Sequence, residues 1–258
     1  MGTLMDWPKI SIITPSLNQG RFLRQTIDSI ISQDYPNLEY IVMDGGSTDE
    51  TIEILQSYGN KIRWFSEKDH GQADAINKGM ALASGEILTY INSDDYYLPG
   101  ALKLVAQKFP QTGCKWLTGD YRIVDQEDHK IQSLVVLYKK FWRNFSSAGV
   151  LSLLNYIVQP STFWSRALWS RTGQFDVSLR YTLDYDLWLR AFKVELPLVV
   201  KQPLSVFRVH KSSKGGIGYQ IQFEEELQVL QRYHTNSVII RAHRFHNALI
   251  KLIYKMIK

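Results

Sequence analysis

The 258-residue chain has one cysteine, Cys114, so no internal disulfide framework and no multi-cysteine metal site is open to it. Long apolar runs are missing too. The longest mainly apolar stretch, residues 148–158, falls far short of the ~20 residues that cross a bilayer. No G-x-G-x-x-G follows a strand signal, and neither a G-x-x-x-x-G-K-[ST] loop nor a G-x-S-x-G elbow occurs. The common dinucleotide oxidoreductases, P-loop NTPases and serine hydrolases are thereby set aside. The first ten residues carry no basic-then-apolar leader, and Asp6 stands where a myristoylation signal at Gly2 wants Ser or Thr. These absences predict a cytoplasmic chain, free or peripheral on the inner face of the cell membrane.

Acidic residues are absent from residues 241–258, which hold five Lys and Arg and so account for the whole net charge of +5. A basic tail on a nearly neutral body is not the footprint of a nucleic-acid binder, which spreads a basic stripe over its folded face. What is present is an ordinary soluble composition, 45% hydrophobic and 21% charged. A chain of this length buries ~70–75% of its unfolded surface and needs no staples. Aromatic residues, at 12%, suit sugar- or base-lined sites as well as cores.

The first hundred residues alternate strand and helix signals. Residues 9–14, 38–43, 62–65 and 87–91 read as strands, and helices are expected between them, the third over 71–83. Asn18 is the expected cap of the first helix. Ser47 or Thr48 is that of the second, with Asp49 and Glu50 in its first turn. Such alternation predicts a parallel sheet with right-handed crossovers, in which ligands sit beyond the carboxyl ends of the strands. Further on, a strand over 116–124 is expected to pair with 131–136 across a polar turn. Helical structure is expected within 138–158 and 180–192, and an extended segment over 196–209. From residue 219 the pattern is helical, broken near 234–236, so one compact domain with a helical tail is the simplest organisation.

The polar loops at the strand ends hold the chemistry-bearing residues. Adjacent carboxylates in Asn92-Ser93-Asp94-Asp95 repel one another, which a hard divalent cation bridging substrate phosphates would offset; a helix start near Leu98, capped by either Asp, accounts for them equally. Asp44, before Gly45-Gly46, can accept from a base N3–H or simply shape a turn. Asp184 and Asp186 stand two apart, so on a helix only one need serve a site. A carboxylate there can be a general base, or the pair can cap and complement a helix dipole. His210 ends the extended segment, as a metal ligand or a structural histidine.

In combination the motifs resemble the family 2 glycosyltransferases of the GT-A fold, the bacterial group that builds polysaccharides. The likeness runs from about Ile10 to His210. It rests on Ile13-Thr14-Pro15-Ser16-Leu17-Asn18, Val42-Met43-Asp44-Gly45-Gly46-Ser47-Thr48-Asp49 and Asp69-His70-Gly71-Gln72-Ala73-Asp74-Ala75-Ile76-Asn77-Lys78-Gly79. It continues through Ala83-Ser84-Gly85-Glu86, Asn92-Ser93-Asp94-Asp95, Gln159-Pro160-Ser161, Gly173-Gln174-Phe175-Asp176 and Asp184-Tyr185-Asp186-Leu187-Trp188-Leu189-Arg190. The resemblance implies an α/β fold of GT-A type, Rossmann-like, with a mainly parallel central sheet flanked by helices and a C-terminal helical tail. It implies a GT-A domain over residues 1–218, with a nucleotide-binding half at about 8–100 and an acceptor half at 101–218. Residues 219–258 then form an amphipathic helical extension.

By the same resemblance, the loop holding Thr14, Pro15 and Asn18 and the carboxylate of Asp44 bind the nucleotide base, while Asp69, Asp74 and Asn77 line the nucleotide-sugar pocket. The D-x-D signature falls on Asn92-Ser93-Asp94. Asp94 is then the metal ligand, with His210 completing the shell of a Mg²⁺ or Mn²⁺ ion. Asn92 replaces the first Asp, keeps an amide for a ribose hydroxyl and removes one charge, which Asp95 is expected to restore. Asp184 matches the catalytic base, although Leu183 replaces the acidic residue that often precedes it. The implied activity is inverting transfer of a sugar from a UDP- or dTDP-sugar to a hydroxyl of a glycan or lipid-linked glycan. Two other readings compete: a non-catalytic nucleotide-sugar-binding protein, and a sugar-nucleotide pyrophosphorylase, whose Gly-rich basic loop after the first strand is not found here.

In the last predicted helix Phe245, Leu249, Leu252, Ile253 and Met256 form one apolar stripe among Arg241, Arg244, Lys251, Lys255 and Lys258. Such a helix lies on an anionic membrane surface, or packs its stripe on the domain or a second subunit of a homo-oligomer.

Overall fold

Strand β1, Ile10–Ser16, is buried along its whole length, as a β-branched run covered on both faces should be. It sits between β2, Leu38–Asp44, and β4, Ile87–Tyr90, parallel to both, and β2 pairs in parallel with β3, Arg63–Ser66. The computed structural model describes residues 7–109, 113, 115–211, 213 and 219–257. Cys114, Gly2 and Asp6, and the expected domain boundary at 218, lie outside them, as do Lys258 and the side chains of Ile253, Lys255 and Met256.

The sheet runs β3-β2-β1-β4-β7-β6-β8-β5. β7, Thr162–Ser165, is antiparallel to β4 and to β6, Trp116–Val124. β8, Leu198–Arg208, is parallel to β6, and two-residue β5, Tyr96–Tyr97, closes the edge antiparallel to β8. The parallel order read from the sequence holds for β3-β2-β1-β4, and β7 makes the complete sheet mixed.

Successive side chains of each strand enter opposite layers. Ile12, Tyr40 and Val42 pack with Leu23, Ile27 and Ile30 of α1, Gly20–Ile31, with α2, Thr51–Ser57, and with α4, Ala101–Lys108. Ile13, Ile41 and Met43 pack with α3, Gln72–Leu82, in a cluster that also holds α6, Ala148–Leu153, α7, Arg166–Thr172, and α8, Leu183–Phe192. Trp116, Trp164 and Trp188 are almost wholly enclosed, Trp116 and Trp188 stacked at 5.5 Å. This part of the aromatic content is core.

Three local expectations are corrected. Residues 133–136 are not a strand: α5 occupies Ser133–Arg143, and the hairpin after β6 ends at a single Val124–Lys130 bridge. The positions 134, 137, 138, 141 and 145 recur at helical spacing, which outweighs the β-branched Val135 and Val136. Asn18 does not cap α1, and Ser47 and Thr48 do not cap α2; neither helix has a side-chain cap at its N-cap residue. A helix does start just after Leu98, α4 at Ala101, but its N-cap residue is Gly100 and β5 lies between it and the acidic loop, so neither Asp94 nor Asp95 caps it.

The helical tail breaks at 234–236 as expected, into α9, Tyr219–Tyr233, and α10, Ser237–Ile257. α9 is no appendage, because Val229 and Leu230 are fully buried in the main core. α10 packs on α6 and α9, and no described helix is long and apolar enough to cross a membrane.

Candidate active site

The carboxyl ends of the parallel strands form one edge, and their loops are tied to each other. Ser16 of β1 lies beside Asp44 of β2 in the sheet register, and Gly45 donates its N–H to the Ser16 carbonyl at 2.8 Å. Asn18, in the left-handed region at φ 52°, accepts the Thr48 N–H at 2.8 Å and donates its own N–H to Ser47 Oγ at 2.7 Å. These cross-loop bonds replace the caps expected of Asn18, Ser47 and Thr48. Asp44 is buried, and its carboxylate accepts from the N–H groups of Gly46 and Ser47, from Ser47 Oγ and from Ser66 Oγ. A Cβ on Gly45 would come within 2.6 Å of Asp69 Oδ2, so glycine there lets the Asp69 carboxylate close against the β2 turn.

The rim continues through α3. Asp69 accepts the Gly71 N–H, Asp74 accepts the His70 N–H at the helix start, and Gln72 Nε2 donates to Asn92 Oδ1 at 2.6 Å. Bonds to His70 and Lys78 hold the Asp74 carboxyl below the usual carboxylate range. Thr14 and Pro15 belong to the same strand end but are buried, with Thr14 Oγ1 accepting the Tyr40 hydroxyl. Asn77 does not line the rim: it exchanges two 2.9 Å bonds with the backbone of Phe175, 98 residues away, and so staples α3 to the loop after α7.

The acidic loop reaches its partner through sheet register. Residues 92–95 connect β4 to β5, and β5 pairs Tyr96 with Val206, which brings the loop alongside the end of β8. Asp94 Oδ2 thereby meets His210 Nε2 at 3.0 Å across 116 residues, with the His210 ring 4.7 Å from that of Phe22. A carboxylate oxygen and an imidazole nitrogen side by side are donors that could hold a divalent cation, with the imidazole favouring a transition metal such as Mn²⁺ over Mg²⁺. Asp95, expected as the second acidic ligand, faces the interior instead. It is fully buried, accepting the Arg208 N–H at 2.9 Å and the Asn92 amide at 3.2 Å. Burial first, and the Asp94 charge second, push the Asp95 carboxyl well above the usual range. Ser93 is buried too, its carbonyl accepting the Thr26 hydroxyl.

Asp184 occupies the first turn of α8 and Asp186 the opposite side, as a spacing of two on a helix requires. Asp186 is buried and bound by Arg190 and by the Tyr233 hydroxyl. Asp184 remains part-exposed and accepts the Tyr185 N–H. Its charge bears on the Tyr90 hydroxyl at the end of β4, as does that of Asp95; burial and these two carboxylates raise Tyr90 well above the ordinary phenol.

Two side-chain clusters beside the acidic loop escape a sequence reading. Arg208 is almost wholly buried and gathers the Asp94 and Asp125 carbonyls, Gln25 Oε1 and Asp128 Oδ1. A basic residue two before His210 was the one visible signal. Asp125, Glu127 and His129, on the turn after β6, hold ligand atoms within 4.8 Å of one another. Asp125 and Glu127 also line a cleft of about 330 Å³ with Val209, His210 and Lys211. A second cleft, about 630 Å³, is lined by Arg143, Phe145 and Lys201; neither cleft includes Asp44 or Asp184.

The fold is similar to that of S. aureus TarS (residues 1–349, in complex with UDP-GlcNAc), with a TM-score of 0.67 and 19% identity over 86% of this chain and 65% of that one. It is equally similar to the mannosyltransferase PcManGT of Pyrobaculum calidifontis, in complex with GDP-Man and Mn²⁺, with a TM-score of 0.67 and 18% identity over 94% of this chain and 70% of that one. An uncharacterised glycosyltransferase of Rickettsia typhi is 31% identical over 79% of this chain, which spans 64% of that relative's length. Residues 11–159 match the glycosyl transferase family 2 model, which takes in β1 to the turn before β7 and with it the Asp44 and Asp94 loops. On that match, and with a GT-A architecture around it, the chain belongs to the family 2 glycosyltransferases.

Proposed function

We propose that the chain transfers a sugar from a UDP- or dTDP-sugar to a hydroxyl of a glycan or lipid-linked glycan acceptor, with inversion at the anomeric carbon. The observation that carries this reading is the Asp94–His210 pair at 3.0 Å, built from strands far apart in sequence at the edge that also holds Asp44. The nucleotide-sugars bound to TarS and PcManGT support a donor of this class. Asp44 and the Pro15–Asn18 loop receive the base; rotation of the Ser47 or Ser66 hydroxyl frees an acceptor on Asp44 for a base N3–H. Asn92 and Asp69 face the ribose and sugar, and Asn77 contributes by holding the neighbouring loop.

Asp94 and His210 would hold a divalent cation, which when bound offsets charge on the diphosphate. Asp184 takes the proton of the acceptor hydroxyl. The acceptor oxygen forms a bond to the anomeric carbon as the bond to the diphosphate oxygen breaks, and one displacement inverts the centre. Orientation alone supplies up to ~7–11 kcal/mol in such sites, so few reactive groups are needed.

The test is a sugar-nucleotide panel with Mg²⁺ or Mn²⁺, reading release of UDP, dTDP or GDP. Wild type releases nucleoside diphosphate from at least one donor, and Asp184→Asn abolishes turnover while keeping nucleotide affinity. Turnover by Asp184→Asn at the wild-type rate places the base elsewhere, and binding without turnover by wild type favours a non-catalytic nucleotide-sugar-binding role.

A further inference from the structure

The start of α8, which carries Asp184, is fixed from outside its own segment. Its N-cap residue, Thr182, makes no cap bond with its side chain. Glu225 of α9 reaches across instead. Its Oε1 accepts the Arg180 N–H at 2.8 Å, and its Oε2 accepts the N–H groups of Tyr181 and Thr182 at 2.7 Å each and the Thr182 hydroxyl at 2.8 Å. One carboxylate thus holds three successive backbone donors leading into the helix, the sign of charge that a helix N-terminus favours.

We propose that Glu225 is a positioning residue for Asp184: it sets the backbone turn that aims the Asp184 carboxylate. The inference rests on Asp184 being the base of the proposed transfer. Glu225 does not touch the reacting atoms; it acts through placement, where a shift of about 1 Å costs on the order of 10²-fold in rate. Glutamine keeps the size of Glu225 but has one acceptor oxygen instead of two and no negative charge, so an N–H₂ faces at least one of the backbone N–H groups and the pull on the helix start weakens.

Glu225→Gln, Asp184→Asn and the double variant Glu225→Gln/Asp184→Asn are compared with wild type in the sugar-nucleotide panel with Mn²⁺. Exposed Glu224→Gln on the same helix is the control. Glu225→Gln is expected to lower kcat at least tenfold with donor KM and calorimetric UDP affinity within twofold of wild type. Glu224→Gln leaves kcat, donor KM and UDP affinity within twofold of wild type. In the Asp184→Asn background Glu225→Gln adds no further loss, because its effect passes through the missing carboxylate. Wild-type kcat in Glu225→Gln overturns the inference alone. A parallel loss of UDP affinity and turnover also overturns it, since that marks a merely structural role. Full turnover by Asp184→Asn, or no donor turned over by wild type, overturns the reading of the base and takes this inference with it.

Discussion

Arg208 binds groups that the sequence keeps 80 to 183 residues away. Its guanidinium also lies over the rings of Phe22 and Tyr96, at 5.0 and 5.5 Å. A lysine keeps the charge but not the planar fork. Arg208→Lys is therefore expected to lower the free energy of unfolding in urea by about 2–3 kcal/mol, the scale of a lost charged hydrogen bond. It also weakens Mn²⁺-dependent UDP binding, because Arg208 Nε holds the Asp94 carbonyl. Unchanged values for both would separate Arg208 from the acidic loop. Glu226 yields a pH prediction. Burial is the main cause that pushes its carboxyl up to about 7, Lys139 opposing and Asp184 adding to the rise. The folded chain holds this proton more tightly than the unfolded one, so the contribution to stability is complete below the ordinary carboxylate pKa and is lost as pH rises through about 7. Between pH 5 and 8 the wild type should lose up to about 3 kcal/mol relative to Glu226→Gln, read from urea unfolding at each pH. Equal pH slopes in the two proteins would mean that Glu226 ionises freely.

α10 presents two faces that the sequence pattern described as one stripe. Its inner face holds buried His243 and Asn247, and His246 meets the Tyr138 hydroxyl of α5 at 2.7 Å. Phe245, Leu249 and Leu252 remain exposed, Phe245 by 74%. Leu134, Leu137 and Phe141 of adjoining α5 are exposed as well, and neither helix contains an acidic residue. An apolar, acid-free surface of this kind suits an anionic bilayer. The chain is expected to float with phosphatidylglycerol vesicles and not with phosphatidylcholine vesicles, and Phe245→Glu with Leu249→Glu to reduce the floated fraction severalfold. Equal flotation by the variant would leave the exposed stripe without a membrane role. The elements themselves were unevenly legible. β2 and β6 could be read because their apolar, β-branched runs are long and bounded by turn residues. α5 was misread over 131–136 because Val135 and Val136 mimic a strand where Leu134, Leu137 and Phe141 set a helical period. β5 has two residues and no signal of its own, yet its pairing with β8 is what carries Asp94 to His210.

For the whole molecule, sequence order predicted that the polar loops of the first four strands would gather at one edge, because parallel strands leave their loops there, and the pairing of β1 to β4 is parallel. It did not show which polar residues those loops use on themselves. Asp95, Asn77 and Thr14 carry the right chemistry, but their bonds to Arg208, Phe175 and Tyr40 become visible only when distant strands are placed side by side. The same closure makes ligand binding a property of the folded chain alone, since the unfolded chain has no such edge. A ligand at 100 times its Kd then adds about 2.7 kcal/mol to stability, which for a domain of this size corresponds to a rise in Tm of roughly 5–10 °C. The shift should need both UDP and Mn²⁺, because the cation between Asp94 and His210 would join the diphosphate to the β4 and β8 segments. Asp94→Ala should reduce it to that of UDP alone, whereas Asp95→Asn, at a buried group facing Arg208, should lower the Tm of the free protein while keeping the Mn²⁺-dependent part. Loss of the Mn²⁺-dependent shift in Asp95→Asn, with Asp94→Ala unaffected, would reverse the two assignments and put the ion on the inner carboxylate.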